Sequence, residues 1–149
     1  MNKMAPHEQI IDLLRENPPR INLLRFLKNK HWAQTRGEDG RFPNCAGAVL
    51  FALDRDFKAL PKYTSPEDMA RFIEESVWPE GRKNGSVFWM KNGNLKNDHF
   101  GIYLGEINRR YVIFHQRNYG DKVSIDTISP IWGINLGYRL KFYIAPDFI

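Results

Sequence analysis

The chain has 149 residues, with 22 Lys and Arg against 17 Asp and Glu, 42% hydrophobic residues and a single cysteine. This length and composition fit one folded domain with its own core, and they exclude a disordered chain and a membrane-spanning one. One cysteine excludes an intrachain disulfide, and with four scattered histidines it excludes a cysteine-rich zinc site. The net charge of +5 favours anionic partners such as nucleic acid, a membrane surface or the bacterial cell wall.

The first half of the chain has the apolar spacing of helices. Residues 10–14 place apolar side chains on one helical face, and residues 21–27 repeat that spacing in a second short helix. Residues 37–44 contain two glycines and a proline and predict an irregular loop. From Cys45 the spacing returns and predicts an amphipathic helix of about 13 residues. The segment Ser65–Asp68 has the N-cap, first-turn proline and acidic residue that start another helix.

The second half of the chain changes to the two-residue period of strands. The β-rich runs, each bounded by turn residues, are 86–90, 100–105, 110–115, 122–126 and 138–144. Their short connections predict an antiparallel sheet. We therefore expect an α+β fold in which a helical layer, including the Cys45 helix, packs on a four- to six-stranded antiparallel sheet. The whole chain, 1–149, is predicted to be a single domain, with an N-terminal helical segment at 1–31 and a core at 32–149. Three tryptophans are predicted to be core residues, with a place at the rim of the cleft as the alternative for one of them: Trp78, Trp89 and Trp132.

Cys45 lies where the predicted loop becomes a helix. Unpaired N–H groups and the positive end of the helix dipole favour a thiolate at such a position, which predicts a lowered pKa for this cysteine. Gly47 is unfavourable inside a helix by roughly 1 kcal/mol relative to Ala, and it predicts a close approach by another backbone or by a substrate. The same position also suits a small buried hydrophobic residue. Cys45 is therefore either a nucleophile or a core residue.

Two histidines belong to neighbouring predicted strands. His99 opens one strand and His115 ends the next, so a hairpin that turns about Ile107 and Asn108 brings the two side chains together. A histidine beside a second polar group, opposite a helix-start cysteine, supplies a nucleophile, a general base and an orienting group. Each histidine alone also suits an ordinary strand-end position. Together with Cys45, the pair favours a catalytic site.

Four segments carry a recognisable set of motifs: FPNCAGAVLFAL at 42–53, NGSVFWM at 84–90, DHFGIYLG at 98–105 and VIFH at 112–115. They resemble the NlpC-type cell-wall cysteine endopeptidases, which have a compact papain-like fold. The first segment is similar to the motif that opens the catalytic helix of that family, and DHFGIYLG is similar to its most recognisable strand. The order Cys, His, His also suits the family. The resemblance covers roughly residues 32–129.

The resemblance implies a role for each of these residues. Cys45 would be the nucleophile and His99 its general base, while His115 would hold the His99 imidazole in the productive tautomer. Gln116 or Asn118 becomes the orienting group if the strand register slips by one residue. A backbone N–H such as that of Cys45 would serve the oxyanion.

A second group of residues is implied to contact the substrate. Trp32 is the aromatic residue nearest to the position at which the family lines its cleft. Asn44 replaces a frequent aspartate before the cysteine, and Ser86 replaces another in the first strand; both changes bear on substrate preference. The candidate substrate-binding residues are Trp32, Asn44, Gly47 and Gln116.

The resemblance implies a cysteine peptidase or amidase that hydrolyses peptide or isopeptide bonds in the peptide stems of bacterial peptidoglycan. No cofactor and no metal are predicted. The expected partner is the peptidoglycan peptide, with an immunity or inhibitor protein as a further candidate. Neither nucleic-acid binding nor membrane insertion is expected, and the chain is expected to be a monomer.

Localisation and two alternatives follow from the same residues. The N-terminal segment lacks the features of a secretory signal, which predicts a cytoplasmic protein or one exported without a cleavable leader to the periplasm or cell wall, as a toxin-like effector would be. One alternative is a papain-like deamidase or acyltransferase that acts on a protein or a small molecule. The other is a non-catalytic binding module in which Cys45 is structural.

Overall fold

The computed structural model describes residues 6–16, 45–52, 65–92, 98–116 and 123–145. Its α-helices are α1 (Pro6–Glu16), α2 (Cys45–Ala52) and α3 (Pro66–Glu75). Its strands are β1 (Val87–Lys91), β2 (His99–Ile107), β3 (Arg110–Gln116), β4 (Val123–Ile128) and β5 (Arg139–Tyr143). Three predictions fall outside the described residues: the helix at 21–27, the loop at 37–44 and the last residues of the Cys45 helix, 53–57.

The predicted start of α3 is confirmed. The Ser65 hydroxyl accepts a hydrogen bond from the Asp68 N–H at 3.1 Å, and the Asp68 carboxylate accepts one from the Ser65 N–H at 3.1 Å. Pro66 occupies the first turn, where its missing N–H costs nothing. Such a cap stabilises a helix by about 1 kcal/mol. The helix then buries Met69 and Ile73 against the sheet.

The five predicted strands form one antiparallel sheet in the order β4-β3-β2-β1-β5. The chain therefore has an α+β fold, with a strand number inside the predicted range. The β2–β3 turn consists of Asn108 and Arg109, whose φ angles are 51° and 64°. Two left-handed residues match the twist of the flanking strands. The turn lies one residue later than predicted, because Ile107 still pairs with Arg110.

A bulge in β2 shifts its pairing with β3. Gly105 pairs with Val112 but Tyr103 pairs with Ile113, so β2 contains one extra residue. Gly105 has a φ of +144°, and a Cβ there would lie 2.9 Å from the side chain of Leu13 on α1. The glycine thus lets α1 pack closely on the bulge. The shifted register continues as far as Ile102, which pairs with Phe114.

The two faces of the sheet bury different side chains. The helices cover the larger core, whose fully buried members include Trp89, Phe100, Ile102, Phe114, Val49, Met69 and Ile73. The opposite face holds a second cluster: Phe88, Met90, Tyr103, Tyr111 and Ile113. The rings of Tyr111 on β3 and Phe142 on β5 have centroids 5.4 Å apart, although three strand spacings of about 4.8 Å separate those strands in a flat sheet. The sheet is therefore curled, and the face opposite the helices is concave.

Two of the three tryptophans predicted to be core residues are buried. Trp78 and Trp89 are both shielded from solvent, and the Trp89 indole N–H donates to the Asp98 carboxylate at 2.9 Å. Trp132 is 44% exposed, so its assignment to the core is wrong. It lies in the segment between β4 and β5, where its ring packs on Tyr138 at 5.7 Å between centroids.

Candidate active site

His99 and His115 meet at the end of the β2–β3 hairpin that is farther from the turn. Nε2 of His99 lies 2.8 Å from Nδ1 of His115, which makes a hydrogen bond between the two rings. The ring centroids are 5.1 Å apart and the planes cross at 72°. The predicted proximity of these histidines is confirmed, and it follows from the antiparallel pairing of their strands.

Gly101 makes room for this pair of rings. A Cβ at Gly101 would lie 2.8 Å from the carbonyl oxygen of Phe114 and 3.1 Å from the Cβ of His115. Gly101 therefore lies directly across from His115, and His99 precedes it by two residues on the same face of β2. Because no side chain stands between them, the His99 ring reaches His115 diagonally over the glycine.

Asp126 on β4, the strand that pairs with β3, extends the row of hydrogen bonds that begins with the two histidines. Nε2 of His115 lies 2.7 Å from Oδ2 of Asp126, and the Ser124 hydroxyl donates to the same oxygen at 2.7 Å. Ser124 pairs with His115 and Asp126 pairs with Ile113, so the polar side chains share one face of the sheet. No motif in the sequence points to Asp126. The alternation of the predicted strand at 122–126 does place it on one face with Ser124, but only the pairing with β3 brings it to His115.

Cys45 is the first residue of α2 and belongs to the larger core, with 9% of its surface exposed. Burial raises the pKa of the Cys45 thiol above its usual value of 9.0. Backbone N–H groups of Phe100, Ala46 and Cys45 itself donate toward the sulfur and offset only part of this effect. The predicted lowering of this pKa is therefore wrong, because the lost solvation of a thiolate outweighs the helix start and the nearby donors.

The sulfur of Cys45 reaches the backbone of β2 beside His99. The backbone N–H of Phe100, the residue that follows His99, is among the groups that lower the pKa of the Cys45 thiol. The body of α2 packs on one face of the sheet, whereas the His99 ring lies on the other face, against the second cluster. The pairing of β2 with β3 ends at Ile102, so it does not extend to Phe100 or His99. Among the described residues, no hydrogen bond joins the sulfur to a histidine ring.

His99 is held in its neutral form. Burial, and after it the neighbouring His115, lower the pKa of His99 from 6.5 to about 3. With the pKa of Cys45 raised, both groups are neutral at neutral pH. A thiolate–imidazolium pair is therefore not the resting state. A proton transferred from sulfur to imidazole has to move as the sulfur attacks rather than beforehand.

The remaining predicted residues are placed as follows. Gln116 is 1% exposed and lies on the face of β3 opposite His115, and its contact with substrate stays a prediction. The register also leaves His115, rather than Gln116, beside His99. Gly47 lies in the first turn of α2. Three predicted residues lie outside the described part of the chain: Trp32, Asn44 and Asn118.

Within the described ranges, no group of three or more His, Cys, Asp or Glu side chains is placed to hold a metal ion. None of the helices in those ranges is long and apolar enough to cross a membrane. Comparison of the chain with protein-family models, curated proteins and solved structures gives no match.

Proposed function

We propose that the chain is a papain-like cysteine peptidase or amidase that hydrolyses peptide or isopeptide bonds in the peptide stems of bacterial peptidoglycan. Cys45 is the nucleophile, His99 the general base and His115 the residue that orients His99. The observation that carries the proposal is the 2.8 Å bond from Nε2 of His99 to Nδ1 of His115, one residue before Phe100, whose backbone N–H lowers the pKa of the Cys45 thiol. This bond occupies one nitrogen of His99 and leaves Nδ1 as the nitrogen for the thiol proton.

The reaction follows from the neutral state of both groups. As the Cys45 sulfur attacks the substrate carbonyl, Nδ1 of His99 takes the thiol proton, and a C–S bond forms while the carbonyl oxygen becomes an oxyanion. The oxyanion collapses, the C–N bond breaks, and His99 returns the proton to the leaving amine. Water then attacks the thioester and gives its proton to His99. The carboxylic acid leaves and the thiol is restored.

The order and packing of the elements support the papain-like part of the proposal. A helix that begins with the cysteine packs on an antiparallel sheet, and the next two strands after β1 carry the histidines. The net charge of +5 suits an anionic polymer as substrate. The motifs at 42–53 and 98–105 support the cell-wall substrate class through their resemblance to NlpC-type enzymes.

The test is digestion of purified peptidoglycan, followed by mass spectrometry of the soluble peptides and by measurement of new amino groups. We expect fragments from the wild type and none from Cys45→Ala, since the nucleophile is gone. His99→Gln should lower the rate by roughly 10²-fold or more, because a general base contributes at least that much. His7→Gln changes a histidine of α1 and should keep the wild-type rate. Equal fragment release by wild type and Cys45→Ala would overturn the proposal.

The burial of Cys45 favours one alternative, a binding module in which this thiol is a core residue. In that case wild type and Cys45→Ala bind stem peptides with equal affinity, and neither releases fragments. Cleavage by the wild type alone excludes the alternative. Ammonia release, or transfer of the acyl group to an added amine without net cleavage, would instead identify the deamidase or acyltransferase chemistry of the same acyl-enzyme.

A further inference from the structure

Asp126 adds a third member to the pair of histidines. We infer that Asp126 is a positioning residue that sets the ring tautomer of His99 through His115, so that Nδ1 of His99 carries the lone pair that receives the thiol proton. The use of that lone pair in catalysis rests on the proposed function. The tautomers themselves are a property of the folded chain and can be measured without a substrate.

The geometry is a continuous row across three strands. It runs from the Ser124 hydroxyl and the Asp126 carboxylate on β4, through His115 on β3, to His99 on β2, with distances of 2.7, 2.7 and 2.8 Å. The side chains of His115 and Asp126 are only 10% and 22% exposed. In such a shielded place hydrogen bonds are stronger than in water, and each bond polarises the next.

With His115 neutral, the carboxylate sets the direction of every proton in the row. An ionised aspartate accepts hydrogen bonds and cannot donate them, so Nε2 of His115 carries a proton. When His115 carries only this proton, its lone pair lies on Nδ1 and accepts the hydrogen bond from Nε2–H of His99. His99 is neutral as well, because its pKa lies near 3. Its remaining nitrogen, Nδ1, therefore holds a lone pair.

The opposite arrangement would disable the base. If His115 carried protons on both nitrogens, its Nδ1–H would donate to Nε2 of His99. The single proton of a neutral His99 would then lie on Nδ1, and no lone pair would remain for the thiol. The tautomer of His99 thus depends on which nitrogens of His115 carry protons, and the Asp126 carboxylate, which does not touch His99, holds one of those protons on Nε2. The two arrangements differ in a measurable way, since different ring nitrogens carry the protons.

Asp126→Asn should reverse the direction of the hydrogen bonds that join residue 126, His115 and His99. The asparagine NH₂ can donate to Nε2 of His115, which moves that ring's proton to Nδ1 and turns the bond to His99 around. In serine peptidases, the corresponding substitution beside the base produces the wrong tautomer and lowers kcat by about 10⁴-fold. With one imidazole interposed, we expect a loss of roughly 10²- to 10⁴-fold in kcat, with KM little changed because no substrate contact is removed.

The experiment is long-range ¹H–¹⁵N NMR of the histidine rings in the ¹⁵N-labelled chain at neutral pH. In the wild type we expect both His99 and His115 to carry their protons on Nε2. In Asp126→Asn we expect both to switch to Nδ1–H, and Asp126→Glu, which keeps a carboxylate, should restore Nε2–H. Asp68→Asn removes a half-buried aspartate from the cap of α3 and should leave the ring signals unchanged.

Two results would overturn the inference. One is a wild-type spectrum in which either ring carries its proton on Nδ1 or His115 is doubly protonated, and this needs no variant to fold. The other is an Asp126→Asn spectrum identical to that of the wild type. Expected tautomers in a chain that releases no peptidoglycan fragments would defeat the proposed function alone. Fragment release by a chain whose ring tautomers are the same in wild type and Asp126→Asn would defeat this inference alone.

Discussion

The neutral state of His99 makes the stability of the fold depend on pH. His99 titrates near 6.5 in the unfolded chain but near 3 in the folded one. Between pH 3 and pH 6.5 the His99 ring binds a proton in the unfolded chain but not in the folded chain, so acid favours unfolding. Stability from this residue is complete above pH 6.5 and is lost as the pH falls toward 3. His99→Gln replaces the ring with an amide that does not titrate, and it removes this dependence.

The size of the effect follows from the two pKa values. Linkage gives a loss of about 0.2 kcal/mol at pH 7 and about 2 kcal/mol at pH 5 for a group that moves from 6.5 to about 3. The wild type should therefore lose about 2 kcal/mol more than His99→Gln between these two pH values. The lower pH of this comparison, pH 5, lies well above the folded pKa of about 3, so His99 binds its proton almost entirely in the unfolded chain.

Urea unfolding followed by tryptophan fluorescence at pH 7 and pH 5 measures this difference in the free energy of unfolding. His7→Gln should behave like the wild type, and an NMR titration of the His99 ring should show no inflection near pH 6.5. Equal losses of stability in wild type and His99→Gln would refute the reasoning. So would a ring that titrates near 6.5, because burial and His115 would then not be holding His99 neutral.

Three further predictions follow from local geometry. Gly101→Ala should destabilise the fold by about 1–3 kcal/mol, because the added Cβ overpacks against the β3 backbone; it should also slow hydrolysis by displacing His115, and an unchanged melting temperature and rate would contradict both. Iodoacetamide should modify Cys45 in the folded chain at neutral pH more slowly than it modifies a free thiol, and the labelling should become faster in urea. Rapid labelling of the folded chain at pH 6–7 would show a thiolate that burial does not suppress. Ser65→Ala should lower the free energy of unfolding by about 1 kcal/mol through loss of the α3 cap without changing hydrolysis, and a drop in hydrolysis would contradict a purely local role.

Features governed by near neighbours in the sequence are predictable from it. The two-residue period of the strands and the cap at Ser65 depend on backbone geometry that a few adjacent residues decide. The meeting of His99 and His115 belongs with them, since a hairpin with a short turn leaves little freedom in which residues oppose each other. Even there, the turn lies one residue later than predicted, and a bulge near Gly105 alters the register.

The chemistry of Cys45 is not a local property. Its position at a helix start predicts a lowered pKa, but the core packed around it raises that pKa. How much solvent a side chain loses depends on residues far apart in the chain that pack against it, here Phe100 of β2 among them. Likewise, no spacing of residues in the sequence shows that Asp126 pairs with His115, because β4 reaches β3 only when the sheet assembles.

The sequence by itself thus determined the elements, the alternation of faces and the histidine pair, because backbone periodicity and hairpin geometry act over a few residues. Only the tertiary structure decided that His99 and Cys45 rest neutral and that a carboxylate joins the row of hydrogen bonds. Desolvation and contacts across strands sum over many distant residues. The single cysteine is a buried thiol, and in the proposed mechanism its proton moves only in the course of attack.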